Sequence, residues 1–258
     1  MPPDFLFLLP PAGIFISVLL TVAAVALAFE LLMMLRPVRE ASARFAEITP
    51  GVVAVSGALF GLSVTFLANS VWTTEDRARE TVNAEARALR VMQVYMDQMT
   101  GPSRDGLSRL IADYGTAVSA EWTAMTDRQA RSRGEQALRD VYASVIKGFS
   151  EGEQNRTLQQ RLLTALDTLS AARQQRLSMA QDVVSGGQWF LVTGLGAVLL
   201  SIVAMSHAKV PFARRVALCV VTTAASIMLF MIVLHDRPFV GHAAVTPQPI
   251  LRAAGFMP

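Results

Sequence analysis

Four long apolar runs, at 12–35, 51–72, 189–205 and 216–234, constrain this chain more than any other feature. Each has the length needed to cross roughly 30 Å of hydrocarbon at about 1.5 Å per residue. Lipid offers no partners to backbone N–H and C=O groups, so such a run must close its hydrogen bonds internally as a helix. The first run carries one charge, Glu30, close to its end, and the second carries none. No Lys or Arg precedes the first run, and it is too long for a signal-peptide core, so it reads as a retained helix. Composition agrees: 52% of the 258 residues are hydrophobic and only 17% are charged, against about 25% charged in soluble domains.

The expected fold is therefore all-α, with four transmembrane helices. A first pair occupies 1–72 and a second pair 189–235. A helical extramembrane bundle over 73–188 is inserted between the second and third helices, and an interfacial tail covers 236–258. The bundle is helical by period. Val82, Ala86, Leu89, Met92 and Met96 recur at steps of three and four, as do Leu107, Ile111, Tyr114, Val118 and Trp122, and Leu158, Leu162, Leu166 and Leu169. These stripes, methionines included, read as core. Gly101-Pro102-Ser103 separates the first two bundle helices, with Ser103 as N-cap. The segment 126–134 reads as a polar linker and 135–149 as a shorter helix. The first and last bundle helices run into membrane runs, which predicts two long helices leaving the bilayer. Acidic and basic residues balance across the bundle, which reads as a solvated surface.

Charge in short loops sets membrane orientation. Arg36, Arg39 and Arg44 lie in one short loop, and Lys209, Arg214 and Arg215 in the other. This favours both short loops on the cytoplasmic side of a bacterial inner membrane, with the bundle outside. Net charge is only +3, and no basic block points to nucleic acid. The single cysteine, Cys219, excludes a disulfide within the chain, and Cys/His metal spacing is absent. No HExxH, GxSxG, P-loop or dinucleotide fingerprint occurs, so neither an enzyme nor a cofactor is expected.

The second apolar run carries the most chemistry. Ser56, Ser63 and Ser70 repeat every seven residues, with Phe60 and Phe66 between them on roughly the same face. Around a symmetry axis such stripes would form hydroxyl rings separated by apolar constrictions, suited to a partly dehydrated anion and to gating by dewetting. On that reading Phe60→Ala raises conductance. Ordinary helix packing also explains the stripe, since small and hydroxyl residues and the Gly57-x-x-x-Gly61 spacing are common at membrane interfaces. Glu30 is an intramembrane acid, which marks it for a proton or ion role, or for pairing with a neighbouring cation near the interface. His207, His235 and His242 each sit near a membrane end and read as interfacial. Asp236, Arg237 and Pro238 end the fourth run. Pro238 should stop the helix, and the tail after it reads as a packed interfacial lock in which Ile250, Leu251 and Phe256 dock a short final helix.

Four stretches resemble a family: GALFGLSVTFLANSVW at 57–72, RARETVNAEARALRVM at 77–92, YGTAVSAEW at 114–122 and HDRPFVGHAAVTPQPI at 235–250. With the layout of two helices, insert, two helices and DRP tail, they make the chain similar to the bestrophin-like family of bacterial membrane proteins. The resemblance implies a four-helix subunit embedded in the lipid bilayer and assembled as a homo-oligomer. Through the more distant likeness to bestrophins proper, it implies a pentameric channel for small anions, with the helical extension in the cytosol. The leading expectation is passive anion conduction. The alternative is a non-conducting membrane sensor or scaffold whose bundle binds a partner.

Overall fold

The computed structural model describes residues 6–7, 9–44, 49–99, 101–123, 128–148, 153–180 and 184–255. The expected contributions of Phe149 and Phe256 lie outside these residues. The described chain is all-helical. Its elements are α1 (Pro11–Leu32), α2 (Arg36–Arg44), α3 (Thr49–Met96), α4 (Pro102–Thr123), α5 (Arg128–Lys147), α6 (Glu153–Met179), α7 (Gly186–Ser206), α8 (Pro211–His235) and α9 (Gln248–Ala253). Four of them are long and apolar enough to cross a membrane: α1, the first half of α3, α7 and α8.

The chain divides into two compact units, one of residues 1–73 and 183–243, the other of 74–182 and 244–258. In the first, α1, α7 and α8 pack on one another around Ile14, Val18, Val64, Leu67, Val192, Leu200, Val203 and Ile232. The outward faces of the same helices are equally apolar: Leu20, Leu27, Phe190, Phe212 and Val220 are each more than half exposed. A helix apolar on all sides, with only one side covered by protein, needs a hydrocarbon solvent for the other.

The second unit packs the bundle stripes inward. Val82, Leu89, Met92, Leu107, Ile111, Val118, Leu162, Leu166 and Leu169 are all buried. α9 joins this unit: Ile250 and Leu251 are buried, and Gln93 Nε2 donates to the Ala253 carbonyl at 2.6 Å. The tail after α8 is thus shared, 236–243 belonging to the first unit and 244–255 to the second.

Three local expectations need correction. Among the described residues only one of the two long helices is continuous. α3 runs unbroken for 48 residues, about 72 Å at 1.5 Å per residue, but α6 stops at Met179 and α7 starts afresh at Gly186. Ser185 starts α7. Its hydroxyl accepts from the Gln188 N–H, and the Gln188 side chain accepts from the Ser185 N–H, a reciprocal cap that begins a helix. α4 begins at Pro102, not behind a Ser103 cap; Gly101 turns the chain with φ +80, a conformation open to glycine. The segment 128–134 is the first part of α5, not linker.

Candidate functional site

The membrane half of α3 separates the five stripe residues. At about 100° per residue, positions six apart lie about 120° apart around the axis, so Phe60 and Phe66 do not share a face. Phe60 is 6% exposed and belongs to the buried line Phe60, Val64, Leu67, Val71. A Cβ built on Gly196 would meet its ring at 3.2 Å, so α7 seats Phe60 by having no side chain there. Phe66 is 65% exposed. It continues an outward line Val52, Val55, Leu59, Leu62, each at least 40% exposed and spaced by alternating threes and fours. Ser56 and Ser63 are half-buried at the edge between the two faces, and Ser70 is exposed.

Glu30 has its partners. It is 8% exposed near the end of α1. Its Oε2 accepts from Arg214 Nε at 2.6 Å, and its Oε1 accepts from Arg214 Nη2 at 3.0 Å and Arg215 Nε at 3.1 Å. Arg214 is itself buried, whereas the Arg215 side chain is 62% exposed. The bidentate pair ties the end of α1 to the first turn of α8. A lone carboxylate or guanidinium would be costly at that depth; a hydrogen-bonded pair is tolerated.

The Asp-Arg-Pro stretch ends α8 as expected, with Asp236 as C-cap residue. Asp236 is buried and its Oδ1 accepts from the Val184 N–H at 3.2 Å. Burial raises its pKa, opposed by that hydrogen bond and by the Arg237 charge. The Arg237 guanidinium stacks 4.9 Å above the Phe7 ring, a cation–π contact. His207 and His235 cap the ends of α7 and α8, each ring Nδ1 lying against a carbonyl one turn back.

The bundle unit holds a cluster that charge balance conceals. Glu85, Glu121 and Arg176 are completely buried, and Arg173 is 5% exposed. Arg176 Nε donates to Glu85 Oε2 at 2.8 Å, and its Nη2 donates to Glu85 Oε1 at 3.2 Å and Glu121 Oε2 at 3.0 Å. Arg173 Nη2 donates to Glu121 Oε1 and to the Arg131 carbonyl. The buried Tyr114 hydroxyl donates to Glu85 Oε1 at 2.6 Å. Burial, and then the Glu85 charge, push its pKa well above the phenol range. Burial opposes the charge on Arg176, yet Glu85 holds its pKa above the ordinary guanidinium value. The Arg176 guanidinium also stacks 4.9 Å from the Trp122 ring, and Trp122 Nε1 donates to the Val245 carbonyl in the tail.

Two acids and two bases cancel, and the hydrogen bonds join α3, α4, α5 and α6. This is the arrangement of a clamp. The solvated-surface expectation fails for these four residues: in sequence the only hint is that Glu85, Glu121, Arg173 and Arg176 fall at core positions of otherwise apolar stripes. No group of His, Cys, Asp and Glu suited to a metal ion occurs among the described residues.

A bestrophin-like domain model matches residues 20–250. No curated protein matches the chain. Among solved structures, the crystal structure of a bacterial bestrophin homologue from Klebsiella pneumoniae, carrying a point mutation, superposes with a TM-score of 0.70 at 9% identity. The match covers 93% of this chain and 97% of that one. At that identity the likeness is one of fold.

Proposed function

We propose that this chain, which belongs to the bestrophin-like family, is one subunit of a homo-oligomeric ion channel, a pentamer by family likeness, in a bacterial plasma membrane. One observation carries the proposal. The uncharged half of α3 leaves outward a continuous apolar line, Val52, Val55, Leu59, Leu62 and Phe66, whose alternating three-and-four spacing is that of helices assembling about an axis. Phe66 is the large ring on that line and forms the narrow apolar constriction. Ser56, Ser63 and Ser70 border the line and supply donors to a passing small anion. Phe60 stands behind the line, holding α3 against α7. The family assignment supports the channel reading, and the exposed apolar line supports the placement of α3 at the axis.

The test is halide efflux from liposomes containing the purified oligomer. Wild type should release halide, and Phe66→Ala should release it faster because a dewetting constriction has been widened. Intact oligomers that pass no ion in either form would overturn the proposal in favour of a non-conducting scaffold.

A further inference from the structure

Four segments of the membrane unit meet at one end. The Glu30–Arg214 pair joins the end of α1 to the start of α8, α2 follows α1 directly, and α2 packs on α7, whose C-terminus leads into the turn before α8. Exposed cations collect there: Arg36, Arg39 and Arg44 on α2, Lys209 in the α7–α8 turn, and Arg215 on α8. Glu30 is consumed by Arg214 and Arg215, which leaves Glu40 as the remaining acid among the described residues of these segments. Arg36, Arg39, Arg44 and Lys209 have no carboxylate partner among the described residues. Exposed apolar side chains stand beside them: Leu31, Met34, Leu35, Val210 and Phe212 are each more than half exposed.

Exposed cations next to exposed apolar groups at the end of membrane-spanning helices suit a partner that is anionic at its head and apolar behind it. We propose that this end of the membrane unit, where α1 and α2 meet the α7–α8 turn, is a binding surface for anionic phospholipid. Arg36, Arg39, Lys209 and Arg215 face the phosphates, and Leu35 and Phe212 lie among the acyl chains. Glu30 has a positioning role. It fixes Arg214 inside and holds Arg215 by its Nε, leaving the outer edge of that guanidinium turned to the interface. Each Lys or Arg near an anionic lipid surface contributes about fivefold to affinity. Arg36, Arg39 and Lys209 should therefore contribute roughly a hundredfold together. The surface does not depend on ion conduction.

The test is native mass spectrometry of the full-length protein in detergent, with phosphatidylglycerol, phosphatidylcholine or inorganic phosphate added. Wild type should retain phosphatidylglycerol over phosphatidylcholine, and raised salt should displace it. The triple variant Arg36→Gln/Arg39→Gln/Lys209→Gln should lose about two orders of magnitude in retention, while a charge-matched variant in the other unit, Arg109→Gln/Arg156→Gln/Arg161→Gln, should retain lipid as wild type does. Equal retention by both variants, or equal binding of the two lipids, overturns the proposal. So does competition by inorganic phosphate at matched concentration, which would mean a free-anion site. Should the triple variant fail to fold, the salt dependence and lipid preference of the wild type decide the matter alone.

Discussion

Removing Arg176 alone from the bundle clamp should damage the protein far more than removing it together with Glu85 and the Tyr114 hydroxyl. In Arg176→Met, Glu85 loses both guanidinium hydrogen bonds and Glu121 loses one of two, all at positions with no solvent exposure. Breaking a buried pair from one side typically costs about 3–5 kcal/mol, because the remaining charge is stranded. The clamp unit has on the order of 120 residues, and unfolding entropy is about 2.1 cal/mol/K per residue, so Tm should fall by roughly 12–20 °C. In the variant Glu85→Met/Arg176→Met/Tyr114→Phe no charge is stranded, since Glu121 and Arg173 still pair, and stability should return to within about 1–2 kcal/mol of wild type or exceed it. Thermal unfolding of the full-length protein followed by circular dichroism measures both. If the single and triple variants lose the same stability, the clamp is not held by mutual charge compensation.

Two glycines should respond oppositely to alanine. A Cβ on Gly134 would lie 2.9 Å from Arg173 Nη2 and 3.0 Å from Glu121 Oε1, so Gly134→Ala should cost about 1–3 kcal/mol by crowding the clamp. Gly106 in α4 has nothing within 4 Å, and Gly106→Ala should stabilise by about 0.5–1 kcal/mol; chemical denaturation compares the two. Glu30→Gln should strand Arg214 and lower the detergent-solubilised Tm, with Glu30→Gln/Arg214→Met recovering much of the loss. Asp236 tests pH linkage. Its folded pKa is raised, so its contribution is full below the unfolded carboxylate pKa and is lost as pH rises through the folded value. Asp236→Asn, which keeps an acceptor for Val184, should therefore match or exceed wild-type stability at neutral pH and lose that advantage in acid. Asp236→Ala should lose about 1 kcal/mol at either pH.

Most of the architecture is legible in sequence because hydrocarbon imposes a single rule: apolar runs of spanning length close their own hydrogen bonds. The bundle stripes are legible for a related reason, as Val82, Leu89 and Met92, and Leu162, Leu166 and Leu169, repeat with the helical period and are buried. The continuity of α6 into α7 is misjudged because apolar periodicity carries across Ser185, whereas a helix start depends on one hydroxyl and one amide meeting. The clamp is illegible because partners 91 and 55 residues apart in sequence find each other only after folding. Phe60 illustrates a third limit. Its face is set by where α7 lacks a side chain, at Gly196, and no pattern within α3 reports that.

The most direct test of the channel account is single-channel recording from purified oligomers in planar bilayers, wild type against Phe66→Ala. Discrete openings in wild type, and larger or more persistent openings in the variant, are the predicted result. Oligomers that insert intact but remain electrically silent in both forms would contradict it.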